Sequence, residues 1–198
     1  MYTPLYVKSN YTFLSSLVNI DKLIKKCTEN GIKQVALCDD NMIATMYFYK
    51  ECIKNDIKPI IGLEIKLDNY DLLLYAKDYI GYQNLLKIVT LKDEINKDLL
   101  KKYNKNIICI IPYKTVEIIK EIENIFVDLY IGVINKDEEI NALKMTKNVV
   151  FLNKILYLNK KEEEYFKYLI MMKDKKNVFD NIEFIDNYNY LLNEKEVF

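Results

Sequence analysis

The chain has 198 residues, 51% apolar and 29% charged, the balance of an ordinary globular protein with enough apolar mass for one substantial core. Lysine plus arginine and aspartate plus glutamate both total 29, and no arginine occurs at all, so no global field draws the chain to nucleic acid or to a membrane surface. No window reaches the roughly 18 continuous apolar residues of a membrane span, and Met-Tyr-Thr-Pro-Leu-Tyr is not a secretion signal, so a soluble, cytoplasmic protein is expected.

In chain order, apolar runs of strand length recur at Leu5 to Val7, Gln34 to Cys38, Pro59 to Leu63, Leu72 to Ala76, Ile107 to Ile111, Leu129 to Ile134 and Val149 to Leu152. Continuous runs of this kind suit strands buried on both faces. Between them lie amphipathic segments at Ile20 to Asn30, Asn41 to Asn55, Gly81 to Thr90, Lys114 to Glu123, Asp137 to Lys147 and Glu162 to Met172. In the first of these Leu23, Ile24 and Cys27 share one face, and Gly31 suits the residue just past the helix end.

Strands and helices in alternation predict an α/β domain whose parallel sheet is covered by helices or closed into a barrel, and periodicity alone leaves those two open. No linker divides the chain, so a single domain over 1–198 is expected. Its last stretch, from about 173 to 198, is polar and reads as a peripheral extension. Cys27, Cys38, Cys52 and Cys109 form no C-x-x-C pair and read as reduced, buried thiols. Cys38 beside Asp39 and Asp40 is not a nucleophile site, because no histidine exists to activate it.

Several blocks carry a family resemblance. Leu5-Tyr6-Val7-Lys8-Ser9-Asn10-Tyr11-Thr12 is similar to L-H-V-H-S-x-Y-S, and Val35-Ala36-Leu37-Cys38-Asp39-Asp40-Asn41 to A-L-T-D-H-G. Tyr47 to Cys52 resembles E-F-Y-K-A-C, and Ile57 to Glu64 is close to I-K-P-I-I-G-x-E. Leu72 to Lys77 and Gly81 to Leu85 follow L-L-L-A-K and G-Y-x-N-L, and Asn153 to Leu158 fits N-D-V-H-Y-L. These blocks resemble the PHP (polymerase and histidinol phosphatase) domain at the N-terminus of bacterial DNA polymerase III alpha subunits; residues 91–147 match poorly.

The resemblance implies a distorted (β/α)7-type barrel with parallel strands and outer helices. Intact relatives bind metal ions through histidines and carboxylates at the strand ends and hydrolyse phosphoesters with metal-bound water. Here the corresponding pocket positions are Tyr6, Lys8, Asp39, Asp40, Glu64, Lys154 and Leu156, and the chain has no histidine. A lysine ammonium at such a position repels a cation. Asp39, Asp40 and Glu64 together have the chemistry for one hard cation such as magnesium; the favoured reading instead pairs Lys8 or Lys154 with Glu64 or Asp39.

No cofactor, metal or catalytic residue is therefore expected. What the resemblance implies is a catalytically inactive module of a replicative polymerase, with the rest of the alpha subunit as partner and the proofreading exonuclease or other replisome subunits as further candidates. DNA would be met only through the parent polymerase, whose nucleotidyl-transfer aspartates lie outside these residues. The alternative is a metal-dependent phosphoesterase or 3′–5′ proofreading exonuclease with a carboxylate-only site.

Overall fold

The computed structural model describes residues 2–176, 189–193 and 196–197. They fall into two compact units: Met1–Asp39, Ile43–Pro59 and Asn153–Val197 make the first, Asp40–Met42 and Ile60–Leu152 the second. The strands are β1 (Tyr6–Val7), β2 (Gln34–Asp39), β3 (Lys58–Leu67), β4 (Tyr70–Ala76), β5 (Ile107–Pro112), β6 (Asp128–Val133), β7 (Val149–Phe151) and β8 (Lys154–Ile155). The helices are α1 (Ile20–Glu29), α2 (Thr45–Lys54), α3 (Tyr79–Thr90), α4 (Lys97–Tyr103), α5 (Ile119–Ile122), α6 (Lys136–Leu143) and α7 (Glu163–Lys173). The fold is mixed α/β with flanking helices, as the alternating pattern predicts.

In the first unit α1 starts where Asn19 accepts the Lys22 N–H, and it buries Ile20, Leu23, Ile24 and Cys27, the i, i+3, i+4, i+7 stripe of an amphipathic helix. It stops at Asn30, followed by Gly31 at φ 68°, a conformation that costs glycine nothing. Helix α2 buries Thr45, Phe48 and Cys52. Strands β1 and β8 pair in parallel, Tyr6 opposite Lys154 and Val7 opposite Ile155. The backbone beyond β8 is held by Asn189, whose carbonyl accepts from the Leu156 and Tyr157 N–H groups at 2.8 and 3.2 Å.

The second unit carries strands in the order β3-β4-β5-β6-β7. Only Asp68 and Asn69 join β3 to β4, too few residues for a crossover, so that pair is antiparallel, with Asp68 turning the chain at φ 55°. Strand β5 is antiparallel to β4 and parallel to β6, and β6 is parallel to β7. Its main cluster is apolar: Leu63, Leu72, Leu74, Leu85, Ile88, Leu100, Cys109 and Ile111 are fully buried in it. Each large side chain buried this way contributes about 1.5–3 kcal/mol relative to exposure.

The segment expected as a helix over Lys114 to Glu123 is instead a 3-10 stretch, Tyr113–Ile118, followed by the short α5. Thr115 is the reason: its hydroxyl donates to the Pro112 carbonyl at 2.9 Å and its backbone leaves helical geometry at φ −117°. Helix α4 has no counterpart in the hydropathy pattern because it buries only Leu100. Of the polar extension expected from 173, residues 177–188, 194–195 and 198 lie outside the described residues, while Tyr190, Leu191 and Leu192 are buried.

Candidate functional site

The parallel register of β1 and β8 sets the geometry of the pocket positions. Side chains two apart on a strand share a face, so Tyr6 and Lys8 project from the same side as Lys154 and Leu156. The Lys8 N–H extends the ladder to the Ile155 carbonyl at 3.1 Å. Lys8 is buried at 6% exposure, Tyr6 at 4%, and the Lys154 ammonium sits 4.7 Å from the centre of the Tyr6 ring, within cation–π range. An ammonium has three donors and no acceptor, so among these four side chains the lone pairs are those of the Tyr6 phenol oxygen.

Asp39 ends β2 beside this face, 1% exposed. Its Oδ1 accepts from the Ser9 N–H at 2.6 Å and the Thr12 hydroxyl at 2.9 Å, and its Oδ2 from the Ser9 hydroxyl at 2.6 Å. Burial pushes the carboxyl above its ordinary value, opposed by the Ser9 hydroxyl and N–H, the Thr12 hydroxyl and the charge of Lys8. Lys8 thus acts on Asp39 through its charge. The loop after β1 is fixed in turn by Ser16, whose hydroxyl contacts the Lys8 and Leu156 carbonyls at 2.5 and 3.0 Å. Ser9 is fully buried and bonded to a carboxylate, so it has no access to a substrate as a nucleophile.

Asp40 and Glu64 belong to the second unit. Asp40 is exposed and accepts from the Asn41 carboxamide at 3.0 Å. Glu64 is 8% exposed on β3, opposite Leu73 of β4. Among the described residues no three of His, Cys, Asp and Glu gather closely enough to hold a metal ion.

Hydropathy reasoning passes over Ser9, Thr12 and Ser16, whose hydroxyls organise the site. Their signal is local: Ser and Thr three apart in a loop between a strand and a helix serve as side-chain caps for turns. It also passes over Asn153, which accepts the Tyr2 hydroxyl at 2.7 Å and donates to the Tyr190 carbonyl at 3.1 Å. The cysteines agree with expectation: all four are free and buried, and burial raises the thiols of Cys27 and Cys52 to about 12.

Comparison with known proteins places this geometry in a family. The model of the PHP domain matches residues 4–150. A DNA polymerase III subunit alpha from Ureaplasma parvum is 32% identical over 202 residues, covering 98% of this chain and 19% of that protein. Those from Borreliella burgdorferi and Bacillus subtilis are 35% and 36% identical over 129 and 124 residues, covering 53% and 56% of this chain and 11% of each relative. The chain thus spans between 11% and 19% of the length of these curated relatives. Among solved structures, a two-domain protein from Bacteroides vulgatus, described as containing a predicted PHP-like metal-dependent phosphoesterase, aligns with a TM-score of 0.46 at 12% identity over 66% of this chain and 43% of that one. The chain belongs to the PHP domain family and is homologous to the PHP region of bacterial DNA polymerase III alpha subunits.

Proposed function

We propose that this chain is a catalytically silent PHP domain of a replicative DNA polymerase III alpha subunit, acting as a structural and interaction module in cytoplasmic DNA replication. The observation that carries the reading is the shared face of β1 and β8, where Tyr6, Lys8, Lys154 and Leu156 stand together. Two ammonium groups, a phenol and an alkyl chain do not form the imidazole and carboxylate donor set that a divalent metal cluster takes. Asp39, a carboxylate at the end of β2, has both oxygens engaged by three hydrogen bonds. Intact PHP domains draw their hydrolytic water from the metal, and no step through a metal is assigned to these residues.

Within the parent polymerase the domain packs beside the subunit's other domains, and its surface is available to further replisome subunits such as the proofreading exonuclease. The length of the relatives supports a longer parent, since each extends well beyond the matched region. Elemental mass spectrometry of the chain purified without chelator tests the silent site. The expected result is far less than one zinc, manganese or magnesium per chain, with a melting temperature unmoved by EDTA or by added metal. Stoichiometric metal, released on changing Asp39→Asn or Glu64→Gln, would sink the reading and make a histidine-free phosphoesterase the activity to assay.

A further inference from the structure

A notch of about 240 Å³ opens in the first unit between the loop after β1, the start of α1 and helix α2, lined by Asn10, Tyr11, Asn19, Ile20, Asp21 and Tyr47. The Tyr47 hydroxyl donates to the Asp21 carboxylate, and that bond pushes the phenol up to about 12. Tyr11 and Tyr47 remain 45% and 40% exposed. On α2 and the turn before it, Ile43 and Met46 are 74% and 53% exposed, adjacent to Tyr47 or one helical turn from it. Glu51, the acid on α2 whose charge reaches Tyr47, is offset by Lys54 at 3.7 Å. Asp21, exposed in the first turn of α1, forms no ion pair among the described residues and is the carboxylate of the notch.

We propose that this notch seats the lysine or arginine side chain of a partner polypeptide, with Ile43, Met46 and Tyr47 receiving the apolar residues on either side of it. The carboxylate accepts a charge-assisted hydrogen bond from the incoming cation, and the exposed tyrosine rings supply π-faces for it. The volume suits one long side chain. Exposed tyrosine and methionine side chains beside one carboxylate are residue types enriched at protein interfaces. The seat shares no residue with the Asp39 pocket, so the metal content of the chain leaves it untouched.

The test is a proton–nitrogen NMR titration of the chain with acetyl-Leu-Lys-Leu-amide, beside the same peptide with norleucine in place of lysine. Saturating shifts at the amides of Asn10, Tyr11, Asp21 and Tyr47, weakened at least about fivefold by Asp21→Asn and absent with norleucine, are expected for a charge-assisted contact. Asp21 and Tyr47 are exposed, so Asp21→Asn and the separate Tyr47→Phe variant both fold. Equal binding of the norleucine peptide, or no saturable shift up to about 10 mM, would overturn the proposal. So would concentration-dependent self-association of the chain that Asp21→Asn abolishes, because the occupant would then be a second copy.

Discussion

The β1–β8 ribbon and the β4–β5–β6 strands grow from the same kind of sequence, short apolar runs bounded by turn residues, and they bury opposite chemistries. Along β4 and β5 the buried side chains Leu72, Leu74, Cys109 and Ile111 belong to one apolar cluster, which asks only that volume be filled. Around β1 and β8 the buried set contains Lys8, Ser9, Thr12, Ser16, Asp39 and Asn153, each of which must find hydrogen-bond partners. A sheet can be stabilised without any of these groups. Their concentration around β1 and β8 sets this region apart from the apolar cluster of the second unit.

The comparison breaks most visibly in the apolar region. Leu74→Ala removes a fully buried side chain from the second unit and is expected to cost about 2–5 kcal/mol, read from the shift in urea midpoint. A cost below that of any polar substitution around Asp39 would mean that the polar pocket, not the apolar cluster, governs stability.

Asp39→Ala comes next. It leaves the Ser9 N–H and the Ser9 and Thr12 hydroxyls without their acceptor, while relieving the burial of a charge, and the net loss should be about 2 kcal/mol. Asp39→Asn, which keeps an acceptor oxygen, should lose less. A neutral Asp39→Ala in chemical denaturation would show that the hydrogen bonds merely offset the desolvation.

A subtler effect lies in pH. Burial holds the folded carboxyl of Asp39 above its ordinary value, so the folded chain retains that proton at pH values where the unfolded chain has lost it. The ionised form is thus a destabilising contribution above the folded pKa, relieved as pH falls through it. The wild-type chain should accordingly gain stability relative to Asp39→Asn as pH falls toward the ordinary carboxyl range, about pH 4, measured as paired denaturation midpoints so that other carboxyls cancel. A gap that moves the other way would mean that the three hydrogen bonds and Lys8 outweigh burial.

The smallest expected effect is at the surface. Asp21→Asn removes the charge that holds the Tyr47 proton, so the phenol should return from about 12 toward 10 in a ring-carbon NMR titration, with no change in melting temperature. An unchanged Tyr47 titration would show that the hydroxyl is not bonded to Asp21 in solution.

Much of this was legible in the sequence, because the signals involved are local. The face of Leu23, Ile24 and Cys27 with Gly31 after it predicts α1 nearly to the residue, and the seven apolar runs each overlap a strand. The similarity of Leu5 to Thr12 and of Ile57 to Glu64 to known blocks pointed to the PHP family before any geometry was considered. Local patterns also failed locally. Thr115 breaks an expected helix through a single hydroxyl, and α4 leaves no mark in the hydropathy pattern because one buried leucine makes no period.

What the sequence by itself determined, then, is the element order, the family and the absence of imidazole from the pocket, since each depends on residue type and spacing along the chain. Only the tertiary structure decided that Tyr6 and Lys8 share a face with Lys154 and Leu156, partners about 150 positions away by the Tyr6 to Lys154 register, because strand pairing is a long-range choice that no local pattern encodes. It likewise decided that Asp39 is held by Ser9 and Thr12 and that Asp21 meets Tyr47. The physical reason is that a carboxylate acquires a role from the donors, charges and solvent around it, and those are fixed only once the chain has closed on itself.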